Sequence, residues 1–360
     1  MGSRSALRWM LTSLFVILLA LAIPAGRIAL FAIRPASPGS AIESTLLVQR
    51  GTGPTELARN LEKTRAVSSA RDFVMLGRLL RKWGKVRSGE YAVSSTMTPL
   101  EIFSVLSSGK SIAHAVTVRE GENMYEVAGA LERAGLASRG RVLELCRDRS
   151  FMDSLGFRAP FPPSLEGYLF PETYSFTRVE TPEQMLGTMV RKYRSVWAAV
   201  ESKHRARIAA LGLNEHQIIT LASIIEKETG APEERPLISS VFHNRLGRRM
   251  RLQSDPTTIY GIWERYSGNL HRQDLLTPTP FNTYTVAALP VGPIGNPGLE
   301  AIEAAIRPSE SEYLYFVSMN EGRHWFSKTL QEHNGAVRKF QLDPKAREGR
   351  SWRQLNRSKN

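Results

Sequence analysis

The chain has 360 residues, of which 42% are apolar, a formal net charge of +14 and a single cysteine, Cys146. That length allows about two ordinary domains, and the apolar share supports packed cores and excludes wholesale disorder. One cysteine excludes an intramolecular disulfide, and no Cys/His spacing suits a metal. The basic excess favours an anionic partner, but zinc-finger spacing and RNA-binding aromatic signatures are both lacking, so no nucleic acid is expected.

Residues Trp9 to Gly26 form an uninterrupted charge-free stretch, followed after Arg27 by the short apolar piece IALFAI. At about 1.5 Å per residue this is long enough for a hydrocarbon core of roughly 30 Å. Arg4 and Arg8 precede it and favour a cytoplasmic N-terminus over residues 1–8. The alternative is a cleaved signal peptide with small residues at Ala22 and Ala25, but the run exceeds the usual signal core. The expectation is an uncleaved transmembrane anchor over 9–33 in the cell (inner) membrane, with everything after Pro35 outside the cytoplasm. Residues 34–44 (RPASPGSAIES) read as a linker.

Beyond the linker a pattern recurs at an offset of seventy residues. Val48, Gly51, Glu56, Leu57, Ala58, Leu61 and Glu62 match Val118, Gly121, Glu126, Val127, Ala128, Leu131 and Glu132. Each copy reads as an apolar strand, a Gly turn and an amphipathic helix. Between the copies the sequence predicts a helix over Ala70–Trp83, a turn at Gly89–Tyr91 and a helix over Pro99–Leu106. A βα module of this shape, taken over 45–150, resembles the LysM glycan-binding domain.

From about Phe151 the composition shifts to Pro-, Tyr-, Asn- and Thr-rich loops between helices expected at Pro182–Ser202, Glu215–Glu228, Glu233–Gly247 and Gly298–Ile306, with a last strand at Tyr313–Ser318. Loops held on helices are where binding and catalytic groups sit. This predicts an α+β fold with its catalytic domain over 151–343. The segment 344–360 carries six basic residues and one acid and reads as a solvated tail.

The helix in NEHQIITLASIIEKETG has Asn214 as N-cap and Gly230 as a stop. Ile218, Leu221, Ala222 and Ile225 form its apolar stripe. Glu226 falls at the edge of that stripe, and Glu228 points roughly 200° away around the helix. Loss of hydration at such an edge favours the protonated carboxyl that a general acid needs. The alternative for Glu226 is an ordinary surface residue of the last turn.

ASIIEKETG, SVFHNRL, RLQSDPTTIYG, FNTYT, LPVGPIGNPG and LEGYLFPETY occur together. As a set they resemble the endolytic murein transglycosylase (MltG, YceG-like) family over roughly 48–340. The resemblance implies cleavage of the bond between N-acetylmuramic acid and N-acetylglucosamine within glycan strands, leaving 1,6-anhydro ends. It implies that the first Glu of IIEKE, here Glu226, is catalytic. Phe281 stands where a Tyr commonly precedes Asn-Thr-Tyr, which loses a hydroxyl and keeps the aromatic face.

The chemistry agrees with that implication. Glycosidic cleavage passes through an oxocarbenium-like state and needs a protonated leaving oxygen. A hydrolase usually adds a second carboxylate, whereas in a transglycosylase the muramoyl 6-hydroxyl attacks its own C1 and returns its proton to the same Glu. Asp255 is the sequence candidate for a second carboxylate, although Asp-Pro reads more naturally as an N-cap and first helical residue. Glu166 and Glu172 either bind sugar hydroxyls or hold a turn. Tyr168, Tyr174, Tyr260, Tyr284, Asn244, Gln253 and Asn282 supply the flat faces and amides of a sugar cleft, with core packing as the alternative for each aromatic. His243 reads as structural.

The expected partners are peptidoglycan glycan strands, the membrane through the N-terminal helix, and cell wall synthesis enzymes; no cofactor or metal is expected. The rival readings are a non-catalytic wall-binding scaffold and a muramidase-type hydrolase.

Overall fold

The computed structural model describes residues 2–160, 162–320 and 322–343, apart from the side chains of 2–7, 17, 18 and 21. The expected basic tail, 344–360, lies outside the described residues. The chain divides into two compact units, one made of Met1–His114 with Ser175–Thr181, the other of Ala115–Tyr174 with Pro182–Asn360. The fold is mixed α+β, with small two-stranded sheets among helices.

The smaller unit opens with helix α1 (Gly2–Ile33), which contains Pro24. Among the described residues no single helix is long and apolar enough to cross a membrane; Ala22–Ile33 is a shorter apolar helical stretch. The last turns of α1 are committed elsewhere, because Ile28, Phe31 and Ala32 are buried in this unit's core. There follow β1 (Glu43–Val48), α2 (Pro54–Lys63), α3 (Ala70–Leu79), β2 (Gly89–Ser94) and α4 (Pro99–Ser108). β1 and β2 are antiparallel in the register Glu43↔Ser94 to Val48↔Gly89. The alternation required of a half-buried strand turns Leu46, Val48, Tyr91 and Val93 inward onto Leu57, Leu61, Phe73 and Phe103. Phe73 and Phe103 stack at 4.2 Å. The expected turn at Gly89–Tyr91 is instead the start of β2: the Tyr91 ring is buried and its hydroxyl donates to the Arg87 carbonyl. The helix expected to run to Trp83 stops at Leu79, and Arg81 adopts a positive φ of 49°.

The larger unit begins with β3 (His114–Val118), α5 (Met124–Arg133), α6 (Arg139–Arg147), α7 (Arg149–Ser154) and β4 (Glu172–Phe176). β3 pairs with β4. The repeat read from the sequence is therefore realised as the same succession of elements, strand–helix–helix–strand–helix. Its two turn glycines, Gly51 and Gly121, both hold positive φ, 86° and 78°. The second copy differs by inserting α7 and the loop to Pro171. Its closing helix is α8 (Pro182–Leu211), bent at His204.

Then come α9 (Glu215–Glu228), α10 (Arg235–Gly247), α11 (Asp255–Gly261), α12 (Arg272–Leu276), α13 (Leu299–Ile306), β5 (Tyr315–Ser318), β6 (His324–Ser327) and α14 (Leu330–Val337). α9 is the central helix, and α10, α11 and α13 all pack on it. Residues Ile218 to Ile225 are buried without exception, so the helix is enclosed on every side rather than along one stripe. Asn214 caps it as expected, in a reciprocal capping box with Gln217. Its end comes from extended backbone at Thr229, with φ −138°, so Gly230 is not a left-handed stop.

Candidate active site

The two carboxylates of IIEKE leave the last turn of α9 in different directions and meet different surroundings. Glu226 is held on both oxygens: Oε1 accepts from the Arg235 guanidinium at 2.8 Å, and Oε2 from the Gly298 amide that opens α13 at 2.9 Å. Its side chain is only 5% exposed and that of Arg235 8%. Arg235 also bonds Glu300 and lies 3.6 Å from Glu120. A Cβ at Gly298 would displace the half-exposed Glu120 carboxylate that approaches it. Glu226 thus ties together α9, α10 and α13, with each of its oxygens already accepting one hydrogen bond.

Glu228 lines a cavity of about 340 Å³, together with Arg245, Gln253, Asp255, Tyr284 and Tyr315. Burial pushes its carboxyl up to about 7; the Ser254 hydroxyl, which donates to it, opposes that rise, the neighbouring Asp255 charge adds to it, and Arg245 counteracts it. Such a group is protonated and ionised in comparable amounts near neutral pH, as a residue acting first as acid and then as base requires.

The walls of the cavity are fixed. Asp255 accepts the Tyr284 hydroxyl at 2.6 Å. Arg245 is buried, donating to the carbonyls of Leu314 at 2.7 Å and Leu252 at 2.7 Å, with its guanidinium over the Tyr315 ring. Gln253 enters at a positive φ of 52° and donates its amide to the Thr283 carbonyl. The N-cap position of α11 belongs to Ser254, not to Asp255. The Asp255 side chain was expected to cap; the helix instead begins one residue earlier, with Asp255 first and Pro256 second, and the Asp255 side chain lines the cavity.

This arrangement can be set beside known proteins. The model of the YceG-like family matches residues 46–339. The chain belongs to this family. It is 30% identical over 323 residues to the endolytic murein transglycosylase of Bacillus subtilis (strain 168), covering 86% of this chain and 88% of that one. The endolytic murein transglycosylase of Streptococcus pneumoniae (serotype 2, strain D39) is 26% identical over 326 residues; 81% of this chain spans 57% of that relative. A crystal structure of a putative yceG-like protein from Listeria monocytogenes superposes with a TM-score of 0.55 at 30% identity, over 82% of this chain and all of that one.

Within this YceG-like chain the other sequence candidates separate. Gln253, Asp255 and Tyr284 share the cavity with Glu228. Asn282 is fully buried and works as a clamp: its amide donates to the carbonyls of Leu275 and Thr277 and its oxygen accepts from Thr258 and the Tyr284 amide. It shapes the loop that presents Tyr284. Asn244 donates to the carbonyls of Ser311 and Tyr313, anchoring the approach to β5. Tyr168 is buried, with its hydroxyl 2.7 Å from His216 Nδ1, and Tyr174 donates to the Phe170 carbonyl at 2.6 Å. Tyr260 packs in the core against Phe281. Glu172 pairs with Lys192 at the surface. Glu166 is buried, accepts the Met124 amide at the start of α5 on both oxygens, and is pushed up to about 7 by burial against the opposing pull of the Met124, Tyr260 and Gly167 donors. His243 donates from Nε2 to the Ala305 carbonyl, a structural contact.

Three residues outside the sequence candidates matter to this architecture. Arg245 brings fixed positive charge to the cavity, and Arg235 holds Glu226. Asn296, fully buried in GNPG, accepts the amides of Gly167 and Leu169 and donates to the Glu122 carbonyl, joining the LEGYLF loop to the Gly121 turn. Arg245 and Asn296 lie in motifs that were singled out (SVFHNRL, LPVGPIGNPG) and Arg235 in the helix expected over Glu233–Gly247, but only their neighbours were weighed. Among the described residues no group of three or more His, Cys, Asp or Glu side chains stands close enough to hold a metal ion.

Proposed function

We propose that this chain is an endolytic peptidoglycan lytic transglycosylase, cutting between N-acetylmuramic acid and N-acetylglucosamine within glycan strands and leaving 1,6-anhydro ends, with Glu228 rather than Glu226 as its acid and base. The relatives that carry this activity in their names support the reaction. One observation carries the residue: of the two carboxyls in IIEKE, Glu228 faces a cavity with its proton retained to about 7, while Glu226 is engaged by Arg235 and Gly298.

Protonated Glu228 gives its proton to the glycosidic oxygen as the bond to C1 breaks, and the carboxylate it becomes lies beside the positive charge developing on the sugar ring. The muramoyl 6-hydroxyl then bonds to C1 and loses its proton to Glu228, which is restored. Burial keeps Glu228 protonated, the Asp255 charge adds to this, and Tyr284 holds Asp255. Glu228→Gln should leave the fold intact and abolish release of anhydro-muropeptides from purified glycan, read by mass spectrometry; cleavage near the wild-type rate would refute the assignment.

Asp255 beside Glu228 also favours a second reading, a hydrolase in which Asp255 serves a water. Digestion in heavy-oxygen water separates the two: unlabelled anhydro ends support the transglycosylase, labelled reducing ends the hydrolase. The anchor over 9–33, the LysM-like role of the βα module over 45–150, and an extracytoplasmic catalytic unit belong to the same proposal. They are supported by the exposed apolar surface of α1 and by the strand–helix–helix–strand order. Arg27 and the buried Ile28, Phe31 and Ala32 support a reading in which any lipid-facing part of α1 ends before residue 27.

A further inference from the structure

The longest series of exposed apolar side chains lies on α1, where Trp9, Met10, Leu14, Phe15, Leu19 and Ile23 all face outward. The same unit carries a second group at the end of α3: Met75, Leu79 and Leu80 are 45%, 65% and 44% exposed. A helix inside a soluble unit normally turns such residues inward. The two groups are linked, because Arg27 of α1 bonds Asp72 of α3 through both carboxylate oxygens, at 2.9 and 2.7 Å. Seven residues separate Asp72 from Leu79, so at about 100° per residue the two lie within about 20° of one line along α3. Leu79 therefore continues the side of α3 that meets α1. Cations border it: Arg71 and Arg78 on α3, and Arg59 on α2, line a groove of about 550 Å³ with Met75, and Arg81 follows just beyond α3.

We propose that this face of α3 rests in the headgroup layer of an anionic lipid bilayer, with Met75, Leu79 and Leu80 entering the acyl boundary and Arg71, Arg78 and Arg81 meeting lipid phosphates. Apolar side chains flanked by cations on the exposed side of a helix suit that boundary, and continuity with the outward apolar surface of α1 selects a bilayer over a protein partner. The proposal rests on reading α1 as the anchor, and it makes the smaller unit a membrane-apposed platform rather than a freely tethered module.

The test uses the full chain, in which buried Cys146 leaves an introduced cysteine as the accessible thiol. Leu79→Cys and Ala92→Cys each receive a fluorophore in nanodiscs containing phosphatidylglycerol and brominated lipid. Ala92 lies on the outer face of β2, opposite the inward Tyr91 and Val93. Quenching at 79 should exceed that at 92 several-fold and should decline when phosphatidylglycerol is replaced by a zwitterionic lipid, or with Arg71→Glu and Arg78→Glu. Equal quenching at the two positions overturns the docking while leaving the anchor standing. A chain that does not enter nanodiscs at all overturns both. Protection at 79 from aqueous reagents without lipid quenching would assign the face to a second copy or another protein, and would equally overturn the proposal.

Discussion

Glu226→Gln alters a buried ion pair with almost no change in side-chain volume. In the native chain Glu226 takes a 2.8 Å bond from Arg235 and a 2.9 Å bond from the Gly298 amide. Glutamine can keep one of these through its carbonyl oxygen, but its NH₂ then meets either a guanidinium or an amide, donor against donor. Removing one partner of a buried pair costs about 3–5 kcal/mol. Arg235 would retain Glu300, whose side chain is 66% exposed, so the lower end, about 3 kcal/mol, is expected. At about 2–4 °C per kcal/mol for a unit of this size, the melting midpoint should fall by roughly 6–12 °C. The assay pairs thermal denaturation with glycan cleavage measured well below the variant's midpoint. The reasoning predicts a destabilised protein that still cleaves. A variant as stable as wild type but inactive would refute it, and would return the catalytic role to Glu226, as the family resemblance had implied.

The other predictions concern Glu228 and Glu166. Because cleavage needs Glu228 protonated, the rate should fall as pH rises through about 7; Asp255→Asn removes the neighbouring negative charge, so this fall should begin at lower pH, and a pH–rate profile that does not move would remove Asp255 from that role. Glu166 has a carboxyl raised from 4.5 to about 7, so its contribution to stability is complete below about 4.5 and is lost as pH climbs through about 7. The difference amounts to about 3 kcal/mol at 1.36 kcal/mol per unit; denaturant melts at pH 5 and pH 8 should show it in wild type and much less of it in Glu166→Gln. Tyr284→Phe should lower cleavage with little loss of stability, since among the described residues its hydroxyl bonds only Asp255 at the cavity wall; an unchanged rate would make that bond incidental.

Local pattern was sufficient for much of this protein. Periodicity and capping located α4, α9 and α13 to within a residue or two, and the seventy-residue repeat was legible because turn glycines and inward apolar positions are spelled out locally. The family was legible for a similar reason, as its motifs are contiguous. β2 was read as a turn because Gly-Glu-Tyr carries turn chemistry, whereas pairing with β1 is a property of a distant segment. The two carboxylates were correctly seen to diverge, but not which of them meets a cavity. An apolar stripe predicts one buried face; α9 is enclosed by α10, α11 and α13, so the edge on which Glu226 was placed is itself interior. Whether a carboxyl there is tied up or left facing open space depends on what comes across from elsewhere in the chain. Arg235 and Gly298 come to Glu226, and Ser254, Asp255 and Arg245 surround Glu228. Helical geometry sets the direction of a side chain, but its hydration and charge environment come from neighbours that only the folded chain assembles.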